Sequence, residues 1–381
     1  MSGEADGDEV PPRWRLSRTE LLLVAASVLG SLLVYAPFWN HMAEVYRLWD
    51  GPNYLNIART LYDVKEDNPL LTYVYEPSYF LVHLPVYPLL IRLFSFLGYQ
   101  HSMLFVSIAC CAIATVLFHR LCRDVWKIPQ PGFLTLVFLF LPPRWLLYRG
   151  AGSTESTYLL FLLLSMSAFE RGRVGRASLW GGLATLTRIP GLMLVPAFGV
   201  LLLQRKRWRE IPWLALIALP LALYFGFCWT RTGNYLHYLS VHSDKLAPKV
   251  PFGFIGTFFA QGLYHQVEFY ILLGLVYAVG VTRLREMKLE TPFAYCFFVY
   301  LLLVFVATED WSRYWLAMAP FALIVGFHDI LTTKSFRWLL PVFAFLGYVY
   351  AWGSIPLNGC RIDVYAHLLW NIGLWSEWHG P

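Results

Sequence analysis

Charge is what this 381-residue sequence has least of: Asp, Glu, Lys and Arg make up 14% of it, where an ordinary globular domain carries about a quarter. That excludes a water-solvated surface of normal size. Cysteine is sparse and unpatterned. Cys110, Cys111, Cys122, Cys228, Cys296 and Cys360 form no CxxC and no metal-ligand spacing, and five lie in or beside apolar runs. They read as small hydrophobes and exclude a disulfide framework. Internal repeats and low-complexity tracts are missing, as is the inverted hydropathy symmetry of many transporters. The formal charge of +6 is modest and says little about nucleic acid; its placement matters more.

What is abundant is apolar. Hydrophobic residues fill 57% of positions and the mean hydropathy is +0.51. The 16 Trp and 23 Tyr suit a membrane–water interface. The composition predicts an all-α polytopic membrane protein. Spans are expected at about 20–38, 102–121, 131–148, 157–170, 211–229, 263–282, 291–307, 314–331 and 336–355, most long enough to cross a hydrocarbon core. The stretch 157–170 is short and is expected to begin inside the interface. Residues 1–19 are acidic, then basic, then lead into the first span. That span is too long for a signal-peptide core and no small-residue cleavage site ends it, so an uncleaved anchor is expected.

Two apolar stretches do not fit a simple crossing: 79–97, with His83, Pro85, Pro88 and Arg92, and 177–203, broken by Thr187, Arg188, Pro190 and Gly191. The positive-inside rule decides how they run. With 79–97 on the outer face and 177–203 a re-entrant hairpin, six short basic segments share one side. They are Arg13/Arg15/Arg18, Arg120/Arg123/Lys127, Arg171/Arg173/Arg176, Arg205/Lys206/Arg207/Arg209, Arg283/Arg285/Lys288 and Lys334/Arg337, holding 18 of the 30 basic residues. As ordinary crossings the two stretches would scatter them. These clusters read as topology determinants and anionic-lipid contacts. The opposite face then carries the longer connections: 39–78, 149–156, 230–262, 308–313 and a tail from 356 to 381. Chemistry is expected there.

In the first outer loop, Tyr54, Ile57, Ala58 and Leu61 recur at helical spacing, with Asn53, Asn56, Arg59 and Asp63 on the other side. This predicts an amphipathic interfacial helix. Asp50 stands at its start, either as an N-cap ahead of Gly51-Pro52 or as an oriented functional carboxylate. Arg188, at the hairpin tip, and Arg313 are costly near hydrocarbon and read as candidate anion contacts. An interhelical anchor is the alternative for Arg188; pairing with Glu309 and Asp310 is the alternative for Arg313. Glu155 suits either acceptor hydroxyls or a helix cap. Glu76 and Arg92 read as a structural ion pair. His41, His83, His237, His242 and His265 lack metal-ligand spacing, and no metal or cofactor is expected.

Several strings resemble one family. Leu48-Trp49-Asp50-Gly51 followed by Tyr54-Leu55-Asn56-Ile57-Ala58 resembles the RWDG-x-x-(F/Y)-L-x-I-A pattern of the GPI mannosyltransferase 2 (PIG-V-like) family. Leu84-Pro85-Val86-Tyr87-Pro88-Leu89-Leu90-Ile91-Arg92 resembles its FFPLYPLLxR segment. Ser153-Thr154-Glu155-Ser156 resembles PYTES, Thr187-Arg188-Ile189-Pro190-Gly191 resembles TRPTG, and Arg313-Tyr314 with Pro320 resembles a late RY...P segment. The five occur in the family's order over roughly residues 46 to 320. Leu48 stands where the family has Arg, Gly152-Ser153 where it has Pro-Tyr, and His83-Leu84-Pro85 where it has FFP.

The resemblance implies a GT-C-like bundle of about 9–11 transmembrane helices with an outer-face active site. It implies a polyprenyl- or dolichyl-phosphate sugar as donor co-substrate, mannose in particular, and a lipid-linked or glycan acceptor. Asp50 would be the general base, with Trp49, Tyr54, Glu155, Arg188, Arg313 and Tyr314 as substrate-binding residues. A prokaryotic plasma membrane is preferred, or the endoplasmic reticulum membrane in a eukaryote. The competing class is a transporter or flippase of a lipid-linked substrate, which should place its ionisable residues near mid-membrane in discontinuous helices. A catalytically silent scaffold subunit is a third class. A transferase site for one phosphosugar requires Asp50, Arg188 and Arg313 to converge within about 10 Å.

Overall fold

The computed structural model describes residues 15–74, 76–241, 251–306, 310–357 and 359–378. Arg13, His242 and Glu309, named above, lie outside the described residues. Every regular element among the described residues is helical. The helices that frame the site are α1 (Arg18–Tyr35), α2 (Gly51–Thr60), α3 (Val86–Leu93), α4 (Tyr99–Arg120), α5 (Pro131–Phe140), α6 (Pro143–Tyr148) and α7 (Glu155–Glu170). They continue as α8 (Val174–Thr185), α9 (Leu194–Gln204), α10 (Ala215–Thr232), α11 (Tyr264–Glu286), α12 (Glu290–Val304), α13 (Lys334–Ser354) and α14 (Ile362–Asn371).

Among the described residues, four helical stretches are long and apolar enough to cross a membrane: Arg18–Phe38, Tyr99–Val125, Trp208–Thr232 and Tyr264–Glu286. Their outward faces carry exposed Leu21, Leu22, Leu29, Leu219, Leu223, Ile271, Leu272 and Leu275. A continuous apolar surface of this kind is stable against lipid and not against water. Two expected spans are not continuous helices. The stretch 131–148 breaks at Leu141–Pro142 between α5 and α6, and 314–331 is divided among four short helical turns. Proline accounts for the break at Leu141–Pro142 and for the one just ahead of Pro320, since neither residue has the amide a continuing helix needs.

The two irregular stretches have their own geometry. Residues 77–97 run as a 3-10 turn, then α3, then a second 3-10 turn. The 8-residue α3 rises about 12 Å, well short of a hydrocarbon core of about 30 Å. Residues 174–204 form a hairpin: α8 rises, the chain turns through 186–193, and α9 returns. The Arg207 guanidinium donates to the Gly172 carbonyl at 3.1 Å, so both ends lie together. Gly191 permits the turn, because a Cβ there would stand 2.5 Å from the Thr185 amide nitrogen. The hairpin tip is joined to the start of α3 by Val86 N–H donating to the Leu186 carbonyl at 3.4 Å.

The core sits where α4, α7 and α8 pack side by side, with α1 on α4 and α10 on α8. Helix α2 packs on α3 and α4 and buries Tyr54, Ile57 and Ala58. Two residues depart from the expected amphipathic pattern. Asn56 is buried and accepts from Asn68 Nδ2 at 3.2 Å, while Leu61 is exposed in a left-handed C-cap. Glu76 and Arg92 do not pair with each other. The Glu76 carboxylate accepts from Ser78, and Arg92 donates to the Ala58 and Arg59 carbonyls, each at 3.0 Å, closing the end of α2.

Candidate active site

Asp50 reaches its position because two backbone strands approach closely. A Cβ on Gly51 would stand 2.6 Å from the Tyr46 carbonyl oxygen. A Cβ on Gly152 would stand 2.6 Å from Met103 Sδ and 3.1 Å from Gly51 Cα. Glycine at both positions lets the loop carrying Asp50 lie against the segment carrying Glu155. Trp49 precedes Asp50 in the left-handed region, at φ 47°, uncommon for a bulky residue. Asp50 itself makes no side-chain cap to α2. Its carboxylate turns the other way, toward Arg313.

The charged groups form one chain of ion pairs. Arg313 Nη1 donates to Asp50 Oδ2 at 3.1 Å, and Arg313 Nε donates to Glu155 Oε1 at 2.6 Å. Arg188 Nη1 donates to the same Glu155 oxygen at 2.5 Å and to Thr154 Oγ1 at 3.3 Å. The Arg313 guanidinium lies 4.4 Å over the Tyr148 ring, and Arg188 lies 5.9 Å over that of Tyr314, both within cation–π reach. Asp50, Arg313 and Arg188 are therefore joined by three successive ion pairs, Asp50–Arg313, Arg313–Glu155 and Glu155–Arg188, although they are drawn from the loop before α2, a late helical turn and the hairpin tip. Asp310 stands 4.0 Å from Arg313 and pairs more closely with Arg144.

This chain borders a cavity of about 970 Å³, lined by Trp49, Asp50, Tyr54, Arg188, Arg313 and Tyr314 together with uncharged groups such as Thr257 and Gln266. Glu155 is absent from that wall. Its side chain is 3% exposed, against 32% for Asp50, so it does not face an acceptor hydroxyl. It holds two guanidiniums side by side from behind, a role neither expectation for it anticipated.

Burial raises the proton affinity of Asp50, but the charge of Arg313 and the His83 ring 4.0 Å away outweigh it. The carboxyl is thereby held well below the ordinary carboxylate range and is ionised at neutral pH. His83 is fixed beside it. Its ring meets Tyr54 and Tyr79 edge-on at 5.4 and 5.5 Å, its Nε2 lies 3.3 Å from Asn53 Nδ2, and Tyr62 donates to its carbonyl at 2.7 Å.

Sequence reasoning missed Arg144, which lines the cavity and donates to Ser312 Oγ at 2.7 Å. Its signal was there: a lone arginine inside the apolar run 131–148, which is costly unless it serves a site. Tyr79, Tyr238, Thr257 and Gln266 also line the cavity, and nothing in their local sequence marks them. Among the described residues no cluster of His, Cys, Asp and Glu is suited to a metal ion. No protein-family model matches the chain, and no curated protein matches it.

Proposed function

We propose that the chain is a membrane glycosyltransferase that moves a sugar, mannose by the motif resemblance, from a polyprenyl- or dolichyl-phosphate donor to a lipid-linked or glycan acceptor. One observation carries this reading. A carboxylate and two guanidiniums from distant parts of the sequence meet on one wall of a cavity large enough for a phosphosugar and an acceptor. The other lining residues, Trp49, Tyr54, Tyr79, Thr257 and Gln266, supply the aromatic faces and neutral hydrogen-bonding groups that sugars use.

In this reading the acceptor hydroxyl oxygen bonds to the anomeric carbon as the bond from that carbon to the phosphate oxygen breaks. The bond pair leaves with the lipid phosphate, and Arg313 and Arg188 stabilise its charge. The hydroxyl proton passes to Asp50, and attack opposite the leaving phosphate inverts the anomeric centre. The fuller architecture belongs to the same proposal: a GT-C-like bundle of nine to eleven crossings, with the cavity on the outer or lumenal face of a prokaryotic plasma membrane or the endoplasmic reticulum.

The test is transfer from polyprenyl-phosphate-mannose by purified protein, compared with Asp50→Asn. The expected loss is about 10²–10⁴-fold, the range of one general base. Equal turnover by the variant removes Asp50 as base. A wild-type protein inert toward every lipid-phosphate sugar shifts the reading to a transporter.

A further inference from the structure

The two carboxylates that hold Arg313 differ in how firmly they are fixed. Glu155 is 3% exposed, and a single oxygen of it takes hydrogen bonds from both Arg313 and Arg188. Removing it would leave two guanidiniums without their shared counter-charge in a low-dielectric setting, which is strongly unfavourable. Asp50 is 32% exposed and faces the cavity. It holds Arg313 through one longer bond, to Nη1, the nitrogen beyond the one that Glu155 occupies. Glu155 is therefore the permanent partner and Asp50 the exchangeable one.

We infer that Asp50 and a substrate phosphate compete for one position on Arg313. The arriving lipid-linked phosphate displaces the carboxylate, and Asp50 swings free toward the acceptor. Two consequences follow from the geometry. While Asp50 is paired it is a poor base, because its lone pairs are engaged by a cation. Binding of the donor both fills the phosphate site and releases the base, so the base becomes competent only when there is a donor to react. Acceptor activation is thereby tied to donor occupancy. Glu155 keeps Arg313 and Arg188 in register throughout, so the anion meets a preformed pair of guanidiniums.

This inference rests on the transferase reading for the identity of the anion, but its test needs no turnover. Polyprenyl phosphate is titrated into the purified full-length protein in detergent micelles, and binding is followed by tryptophan fluorescence. Displacement of a competing carboxylate predicts that Asp50→Asn binds about tenfold more tightly than wild type, the scale of one charge-assisted hydrogen bond. Asp50→Ser should do the same, which guards against a folding artefact of one variant. Arg313→Gln should abolish the gain. Asp310→Asn, which removes an acid of the same cavity paired mainly with Arg144, should change affinity much less.

Unchanged or weaker binding by both Asp50 variants, with wild type binding normally, overturns the inference and leaves the transferase reading standing. An equal gain from Asp310→Asn also overturns it, because the effect would then be the general field of the cavity. Failure of wild type and every variant to bind overturns both. Inorganic phosphate titrated in parallel separates the sources of the ligand. The same gain with it supports the displacement with the phosphate group alone as the competing anion. A gain confined to polyprenyl phosphate supports it with the lipid-linked species.

Discussion

At the scale of single residues, the site is governed by which carboxylate is buried and which can move. Asp50 is ionised through the neutral range because Arg313 and His83 outweigh its burial. Because the folded carboxyl titrates below its unfolded value, its contribution to stability is full above the unfolded pKa of about 3.9. That contribution is lost as pH falls through the folded value. Thermal melts should therefore show a difference between wild type and Asp50→Asn that is flat above about pH 5 and narrows below about pH 4. A difference that changes between pH 6 and 8 would assign the coupling to another group. Glu155 makes a sharper case. Glu155→Ala strands two guanidiniums and should cost about 3–5 kcal/mol of stability. Glu155→Ala combined with Arg188→Met should recover part of it. Arg188 and Arg313 were legible as candidates because a charge is costly beside an apolar run, Asp50 stood out at a helix start, and Tyr314 was singled out by the motif resemblance. Their partnership was not. The Glu155–Arg188 and Arg313–Asp50 pairs bridge long sequence separations, and no local pattern encodes such a contact.

At the scale of elements, proximity is set by glycine and proline. Helix α2 was readable from its spacing, but burial of Asn56 was not, because its partner Asn68 lies beyond the helix. The breaks at Pro142 and Pro320 lie inside runs whose hydropathy alone suggested continuous spans. The contact of Gly51 with Gly152 yields a graded prediction. Gly152→Ala pushes mainly on the Met103 side chain, which is unbranched and can shift. Gly51→Ala pushes on the Tyr46 carbonyl, which cannot shift without moving the loop. Both should lower the melting temperature and any transfer activity, Gly51→Ala more severely. Adding Met103→Ala should rescue Gly152→Ala alone. Rescue of both variants would place the strain elsewhere.

At the scale of the whole molecule, the site lies at one end of the bundle and the basic clusters at the other. Glu20, near the start of α1, accepts from Arg120 Nε at the end of α4 at 2.8 Å. At the cavity end the expected C-terminal tail is a docked structure. Helix α14 packs on α2, Arg59 donates to the Ile372 carbonyl at 3.0 Å, and Glu377 accepts the Tyr99 and Gln100 amides at 2.8 and 2.9 Å. The carboxylate thereby occupies the positive end of α4, and Glu377→Ala should cost about 1 kcal/mol. A melting temperature unchanged by Glu377→Ala would show that the tail is held by its apolar contacts alone.

The larger issue is orientation, for which charge clustering in the sequence gives an expectation that the hairpin makes testable. Helices α8 and α9 have 12 and 11 residues, rising about 18 and 17 Å, so neither alone matches a core of about 30 Å. With Arg207 bonded to Gly172, residues 171 and 209 are expected to face one compartment and the loop before α2 the other. All six native cysteines are buried, so a membrane-impermeant maleimide should label introduced cysteines over little background. Arg171→Cys and Arg209→Cys should label from the same side, and Glu66→Cys, exposed in the first outer loop, only from the opposite one. Labelling of positions 171 and 209 from opposite sides would make 174–204 a true crossing. It would also undo the reading that puts the basic clusters on one face and the cavity on the other.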